Sequence, residues 1–206
     1  MTPTSPTATL AEETLAETAG VTRWTLDPTH TLIEFSGKHM MFTTVKGRFG
    51  AFSGEIVVDE ARPERSSVAV EIEAASLDTR TEMRDNHLRS ADFLHVEAFP
   101  AISFKSTGIE LPAGAHVRPG LAFKVNGDLT VRGTTRPVVL DAEFTGEGTG
   151  PMGNRIKAFA AKTKINRKDF GLTWNVALET GGVLVGDRVD IELDVQGVRA
   201  TAVQAA

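Results

Sequence analysis

From Trp24 onward, large apolar side chains recur at every second position, with polar ones between them. Val68, Val70 and Ile72 alternate with Ala69, Glu71 and Glu73. Leu121, Phe123, Val125, Leu129 and Val131 alternate with Ala122, Lys124, Asn126, Asp128, Thr130 and Arg132. Val138, Leu140, Ala142 and Phe144 keep the same beat, as do Val189, Ile191, Leu193 and Val195 against Asp190, Glu192, Asp194 and Gln196. Successive side chains of a strand point to opposite faces, so this pattern predicts strands with one apolar and one wet face, suited to an antiparallel sheet. Further strands are predicted over 32–38, 52–59, 101–107, 155–165 and 174–179, joined by Gly-, Pro- and Thr-bearing turns such as "VRGTTRP".

One long stretch breaks the rhythm: "TRTEMRDNHLRSADFLHVEAFP", residues 79–100. Thr79 followed by Glu82 has the form of a capping box, and Met83 and His87 share a helical face at spacing four, which predicts a short helix over 80–89. The stretch lies between the strands at 68–73 and 101–107, as a crossover long enough to close a barrel end. Residues 1–20 are rich in Thr, Ala, Pro and Glu and hold few large apolar side chains, so a tail is expected there, with a short helix around Leu10 to Leu15 as its one candidate element. The expected organisation is a tail over 1–20, one barrel domain over 21–200 and a tail over 201–206.

Many short one-sided strands must bring their apolar faces together, as a sandwich or a barrel. Gly127 sits within an otherwise apolar face, and Gly50 and Gly54 bracket Phe52. Glycines so placed let strands bend through bulges, which favours a closed barrel. Asn126-Gly127 has hairpin chemistry, yet the alternation runs in phase through it and it is read as strand.

Composition narrows the function classes. At 206 residues with 24% charged and 41% apolar side chains, the chain has the make-up of one globular domain, and a net charge of −5 gives nucleic acid no electrostatic footing. The absence of cysteine excludes disulfides, thiolate nucleophiles and cysteine-ligated metals. No Lys or Arg precedes Arg23 and no apolar run opens the chain, so a cytoplasmic location is expected. No segment approaches the roughly 20 apolar residues of a membrane span.

Candidate chemistry centres on two places. Glu82, Arg84, Asp85, His87 and Arg89 bring acid, base and imidazole together, but the favoured reading is that Arg84, Asp85 and His87 make capping and tethering bonds that hold the helix as a lid. His39 is in phase with Ile33, Phe35 and Gly37 and is expected to face the interior near a strand end, where it meets a ligand's polar head or, on the favoured reading, is a buried histidine paired with a backbone carbonyl. His30, after Pro28, falls on the opposite phase. Asp27, His30 and His39 lack any specific metal spacing, so no metal ligand and no cofactor is assigned. There is no GxSxG and no GxxxxGK[ST]; "GTGPMG" at 148–153 is a turn, and the basic "KTKINRK" run is read as a solvated face.

Four segments, "LDPTHTLIEFSGKHMMFTTVKGRFGAFSGEIVVD", "RDNHLRSADFLHVEAFPAISFKS", "FKVNGDLTVRGTTRPVVLDAEF" and "INRKDFGLTWNVALETGGVLVGDRVDIELDV", occur in this order and together resemble the YceI-like family of bacterial lipid-binding proteins, over Trp24 to about Val198. The resemblance implies an all-β, lipocalin-like extended eight-stranded antiparallel barrel with a short helical insertion covering it. It also implies an apolar channel for a polyisoprenoid chain, and hence non-enzymatic binding, carriage or storage of a polyisoprenoid or isoprenoid-quinone-type lipid; it is compatible with a homodimer. Many members are exported, so with a cytoplasmic location an intracellular carrier or buffer is expected. Strand phase selects Ile33, Phe35, Phe52, Ile56, Val70, Ile72, Phe104, Phe123, Val125, Leu129, Phe144 and Trp174 as channel lining. His39, Arg84 and His87 are candidate head-group contacts. The alternatives are a metal-dependent or His-based enzyme acting on a small substrate in the same cavity, and a barrel filled by its own side chains.

Overall fold

The computed structural model describes residues 20–179 and 181–199. The expected tails and the Leu10 to Leu15 helix lie outside the described residues, except Gly20 at the edge of the first strand. Eleven strands form one antiparallel sheet: β1 Val21–Leu26, β2 Leu32–His39, β3 Thr43–Phe49, β4 Phe52–Asp59, β5 Ser67–Glu73, β6 Leu77–Asp78, β7 Ala101–Glu110, β8 Leu121–Val131, β9 Thr134–Thr149, β10 Arg155–Asn166 and β11 Val185–Arg199. The order β1-β4-β5-β7-β8-β9-β10-β11 closes through pairing of Trp24 with Arg199 and Leu26 with Gly197, giving an eight-stranded barrel. β2 continues the line of β1 along β11, and β3 that of β4, so β2 and β3 extend the wall at one end. The expected fold class is the observed one.

The hydrogen-bond register explains the closure. β7 shifts register between Ser106 and Gly108, and β9 skips Thr145 where Ala158 and Phe159 of β10 meet Gly146 and Phe144. Gly127 is not the bulged residue; it pairs with Ser106 beside the bulge, and a Cβ there would collide with the Phe104 ring and lie 2.7 Å from the Lys105 carbonyl oxygen. At Gly54, a Cβ would lie 2.7 Å from the Ala69 carbonyl oxygen, so the close approach of strands is what these positions require.

The helix α1, Glu82–Arg89, forms where expected, but its N-cap is Thr81, whose side chain makes no capping bond. The capping box on Thr79 is thus corrected: Arg80 has φ +63°, which stops the helix from reaching back to Thr79. Instead Asp85, in the helix, accepts from the Thr79 N–H at 2.9 Å and its hydroxyl at 2.5 Å. The expected strand at 174–179 is corrected too. It is irregular apart from one bridge between Ala177 and Val183, because the Asn175 side chain takes both the N–H (3.0 Å) and the C=O (2.7 Å) of Val185 that a ladder would use. β1, β3 and the two-residue β6 are additions to the expected strands.

All chain connections of one end, Met40 to Phe42, residues 79–100, Arg132-Gly133 and 167–184, face the same way. The largest buried cluster lies under them, around Leu77, Phe93, Leu94, Phe170 and Leu172. A smaller one, Trp24, Leu26 and Ile56, marks the opposite end.

Candidate functional site: the barrel cavity

An apolar cavity of about 1000 Å³ runs inside the barrel, at the top of the roughly 300–1,000 Å³ usual for small-molecule pockets. Its length follows from β8, where Leu121, Phe123, Val125, Leu129 and Val131 all border it; ten residue steps at about 3.4 Å make about 34 Å along the tilted strand. Such a cavity counts against the self-filled barrel. Ile33, Phe35, Ile56, Val70, Ile72, Phe104, Phe123, Val125, Leu129, Phe144 and Trp174 all line it, as strand phase places them. Phe52 does not: it packs between the two end clusters, against neighbours of Ile72 and Ile56. Phe49, Val138, Leu140, Ala142, Phe159, Ile165, Ile191 and Leu193 also line the cavity, and all but Phe49, on the unexpected β3, were legible by the same phase.

At the covered end, the charged helix is bound into the roof. Arg84 Nε donates to the Thr79 hydroxyl (2.7 Å) and its Nη2 to the Thr79 carbonyl (2.7 Å) and the Thr81 hydroxyl (3.1 Å). Arg89 Nε donates to the Ala75 carbonyl (2.8 Å) and its Nη2 to that of Leu77. His87 sets its ring edge-on to Trp174, centroids 4.5 Å apart, and to Phe93 at 5.1 Å, while Nε2 lies 3.0 Å from Asp92 Oδ2. These are the tethering bonds the charge pattern led us to expect.

His39 lines the cavity but at its rim, exposed, and so is not the buried, carbonyl-paired histidine expected. β2 ends there and the next residues turn over, so the barrel wall stops before it can cover the ring. His30 is exposed, 2.7 Å from Asp27 Oδ2, and lies away from the cavity. Its bond is the chief reason that the Asp27 carboxyl is held below the usual carboxylate range.

The "KTKINRK" run is not a solvated face at Arg167, which is buried and donates to the carbonyls of Leu172 (2.5 Å), Trp174 (2.9 Å), Gly186 (3.0 Å) and Val185 (3.3 Å). Burial lowers its pKa, and the Asp187 carboxylate 3.5 Å away partly opposes this.

The far end holds a group that sequence reasoning missed. Lys157, 5% exposed, points into the barrel between Glu60 and Glu147, each 3.0 Å from Nζ, and stands 5.4 Å from the Trp24 ring centroid and 5.6 Å from that of Phe144. The signal was available: counting back by twos from Ile165 through Phe159 puts Lys157 on the apolar face. The skipped Thr145 changes the phase of β9, which is why Glu147 meets it from the inside. Among the described residues, no three His, Asp or Glu side chains are grouped to hold a metal, and no helix is long and apolar enough to cross a membrane.

Comparison with known proteins matches residues 24–197 to the family model described as YceI-like domain. A curated relative from Vibrio cholerae, named only as a UPF0312 protein, is 37% identical over 170 residues, 82% of each chain. The crystal structure of the Campylobacter jejuni YCEI protein superposes with a TM-score of 0.66 at 29% identity, covering 80% of this chain and 90% of that one. A polyisoprenoid binding domain from Saccharophagus degradans, 14% identical, shares the fold at a TM-score of 0.61 over 86% of this chain and 98% of its own.

Proposed function

Because the chain belongs to the YceI-like family, we propose that it binds a polyisoprenoid or isoprenoid-quinone-type lipid, without catalysis, and carries or stores it in the barrel cavity. The observation that carries this reading is the cavity itself, long rather than round and walled by aliphatic and aromatic side chains along the whole of β8. A hydrocarbon chain gains about 0.8 kcal/mol per buried CH₂ there, so affinity needs few polar contacts. The polyisoprenoid named for the Saccharophagus degradans domain suits a cavity of this shape. The eleven phase-selected lining residues would contact the chain. His39 and His87 flank the covered end, where a polar head would meet solvent; Arg84 is already committed to Thr79 and Thr81.

The alternative, a His-based or metal-dependent enzyme, is disfavoured by those commitments, since Arg84, Asp85 and His87 are each engaged in holding the roof. Metal analysis with His39→Ala and His87→Ala separates the two: stoichiometric metal or turnover lost in either variant would favour the enzyme. The direct test is solvent extraction of the purified protein and mass spectrometry, followed by titration with a polyprenol. Co-purifying or titratable lipid is expected, and Phe123→Asp should weaken binding by at least about tenfold while leaving the barrel folded. A barrel that stays empty would end this reading. Cell fractionation tests its cytoplasmic form.

A further inference from the structure

The end of the barrel roofed by α1 carries an exposed apolar crown. Phe42 is 82% exposed, Met41 56% and Met83 82%, with Met40 and Val176 exposed beside them. Met40 and Val176 are joined through Leu184, Met41 and Phe42 complete the same turn, and Met83 borders the cavity that the residues flanking this turn also line. The Met40 N–H donates to the Leu184 carbonyl at 2.8 Å and the Leu184 N–H to that of Val176 at 2.9 Å. His39 and Thr43, which flank the turn, line the cavity, and so does Met83. A side chain that is both exposed and cavity-lining marks a mouth. β6 runs antiparallel to β3, toward this turn, and thus delivers α1 and Met83 to the same end.

The turn is costly for its sequence. Met40 and Met41 have φ of +50° and +67°, and the Phe42 N–H closes the turn onto the His39 carbonyl at 3.2 Å. Asn-Gly is the pair that suits such a conformation. The β8–β9 hairpin, at the same end, adopts it with Arg132-Gly133 and folds its arginine down onto the carbonyls of Ala91 and Gly171. Large apolar residues in the strained, unsupported turn suggest a surface kept for a partner.

Charge and shape narrow that partner. Residues 37–47 contain Lys38 and Lys46 and no acid, in a chain of net charge −5, whereas Arg48, farther along β3, faces Asp78. Lys38 Nζ bonds the Phe42 carbonyl (3.5 Å) and the Thr44 hydroxyl (2.8 Å), which holds its ammonium directly behind the apolar tip. An apolar point with lysines behind it is the arrangement of a segment that dips into acyl chains while its lysines meet anionic headgroups. A protruding three-residue tip offers little of the flat area that a protein interface needs.

We propose that Met40, Met41 and Phe42, with Met83 and Val176, dock the mouth of the barrel onto an anionic lipid bilayer, so that an isoprenoid chain passes between membrane and cavity without crossing water. The proposal rests on the lipid-binding reading above.

The test is co-sedimentation with phosphatidylcholine–phosphatidylglycerol vesicles at low and high salt, alongside uptake of a polyprenol presented in detergent. Wild-type protein should sediment with vesicles, less so at high salt. Phe42→Ser combined with Met41→Ser should lower vesicle partition by about tenfold or more and leave detergent uptake unchanged. Lys38→Glu with Lys46→Glu should abolish the salt dependence. Met40→Asn with Met41→Gly should raise the thermal midpoint, by relieving the turn, yet lose vesicle binding, which a merely structural role would not do. Unchanged partition in the Ser variant overturns the proposal. Wild-type protein that takes up polyprenol but ignores vesicles overturns docking and leaves lipid binding standing; vesicle binding with no uptake supports the docking surface and overturns the carriage of lipid. A dimer that dissolves in the Ser variant, with no vesicle binding, makes the crown a contact between copies and overturns the proposal.

Discussion

The two ends of the barrel both hold cations and satisfy them differently. At the end formed by β1, β4 and the C-terminal half of β9, Lys157 is neutralised by Glu60 and Glu147 over the Trp24 and Phe144 rings. At the roofed end, Arg89, Arg132 and Arg167 direct most of their hydrogen bonds to backbone carbonyls, from Ala75 and Leu77 to Gly171, Leu172 and Val185, and Arg84 divides its own between the Thr79 carbonyl and the Thr79 and Thr81 hydroxyls. The ladder at the first end already pairs its backbone, so a cation there needs a carboxylate. Irregular segments at the second leave carbonyls unpaired, and a guanidinium with five donors can gather several at once. One end is held by a compact ion cluster; the other is sewn together by separate stitches, and a roof held in that way can loosen piece by piece.

The largest effect expected is on the ion cluster. Glu60→Gln with Glu147→Gln strands the buried Lys157 ammonium and should cost about 3 kcal/mol in denaturant unfolding. Lys157→Met, which leaves two half-exposed carboxylates free to hydrate, should cost under about 1 kcal/mol. Equal costs would mean that Lys157 is not desolvated as its surroundings indicate, and the contrast between the ends would break. Next comes the stitching: Arg167→Met leaves the Leu172 and Trp174 carbonyls unpaired and should cost about 2 kcal/mol, with amide exchange rising in 172–186 before it rises in β10. Uniform exchange would show that roof and wall open together.

The smallest effect is one of pH. The Asp78 carboxylate accepts the Arg80 N–H and faces Arg48, which hold its pKa below the usual carboxylate range. A lowered folded-state pKa stabilises above the unfolded value, and that contribution is lost as pH falls through the lowered one. Amide exchange over 79–92 should therefore quicken slightly as pH drops below about 4, after correction for intrinsic rates. Asp78→Asn should remove this dependence.

Much of this was legible from alternation alone. Of the twelve residues selected by phase, eleven border the cavity, ten because each lies on a strand buried on one side and Trp174 from the irregular segment after β10. Phe52 failed at the bend between β3 and β4, where a side chain on the inner face packs between clusters instead of bordering the cavity. The strand expected at 174–179 failed because a single side chain, Asn175, replaces the ladder, and one residue's hydrogen bonds leave no trace in periodicity. Thr79 and Glu82 matched a capping pattern, yet the left-handed Arg80 intervened. The Lys157 cluster joins β4, β9 and β10 across the barrel, and partners so distant in sequence emerge only when the barrel closes.

The chain has two tryptophans and no tyrosine. Trp24, 2% exposed, lies under the Lys157 ammonium with its indole N–H donating to the Thr22 hydroxyl at 2.8 Å, whereas Trp174 stands at the roof against the His87 ring. Folding has thus installed one fluorophore at each end and no other emitter of comparable strength. Trp24→Phe would leave a single lamp beneath the lid, whose colour reports whether the roof is dry, wet or occupied, and Trp174→Phe would leave its control at the Lys157 end.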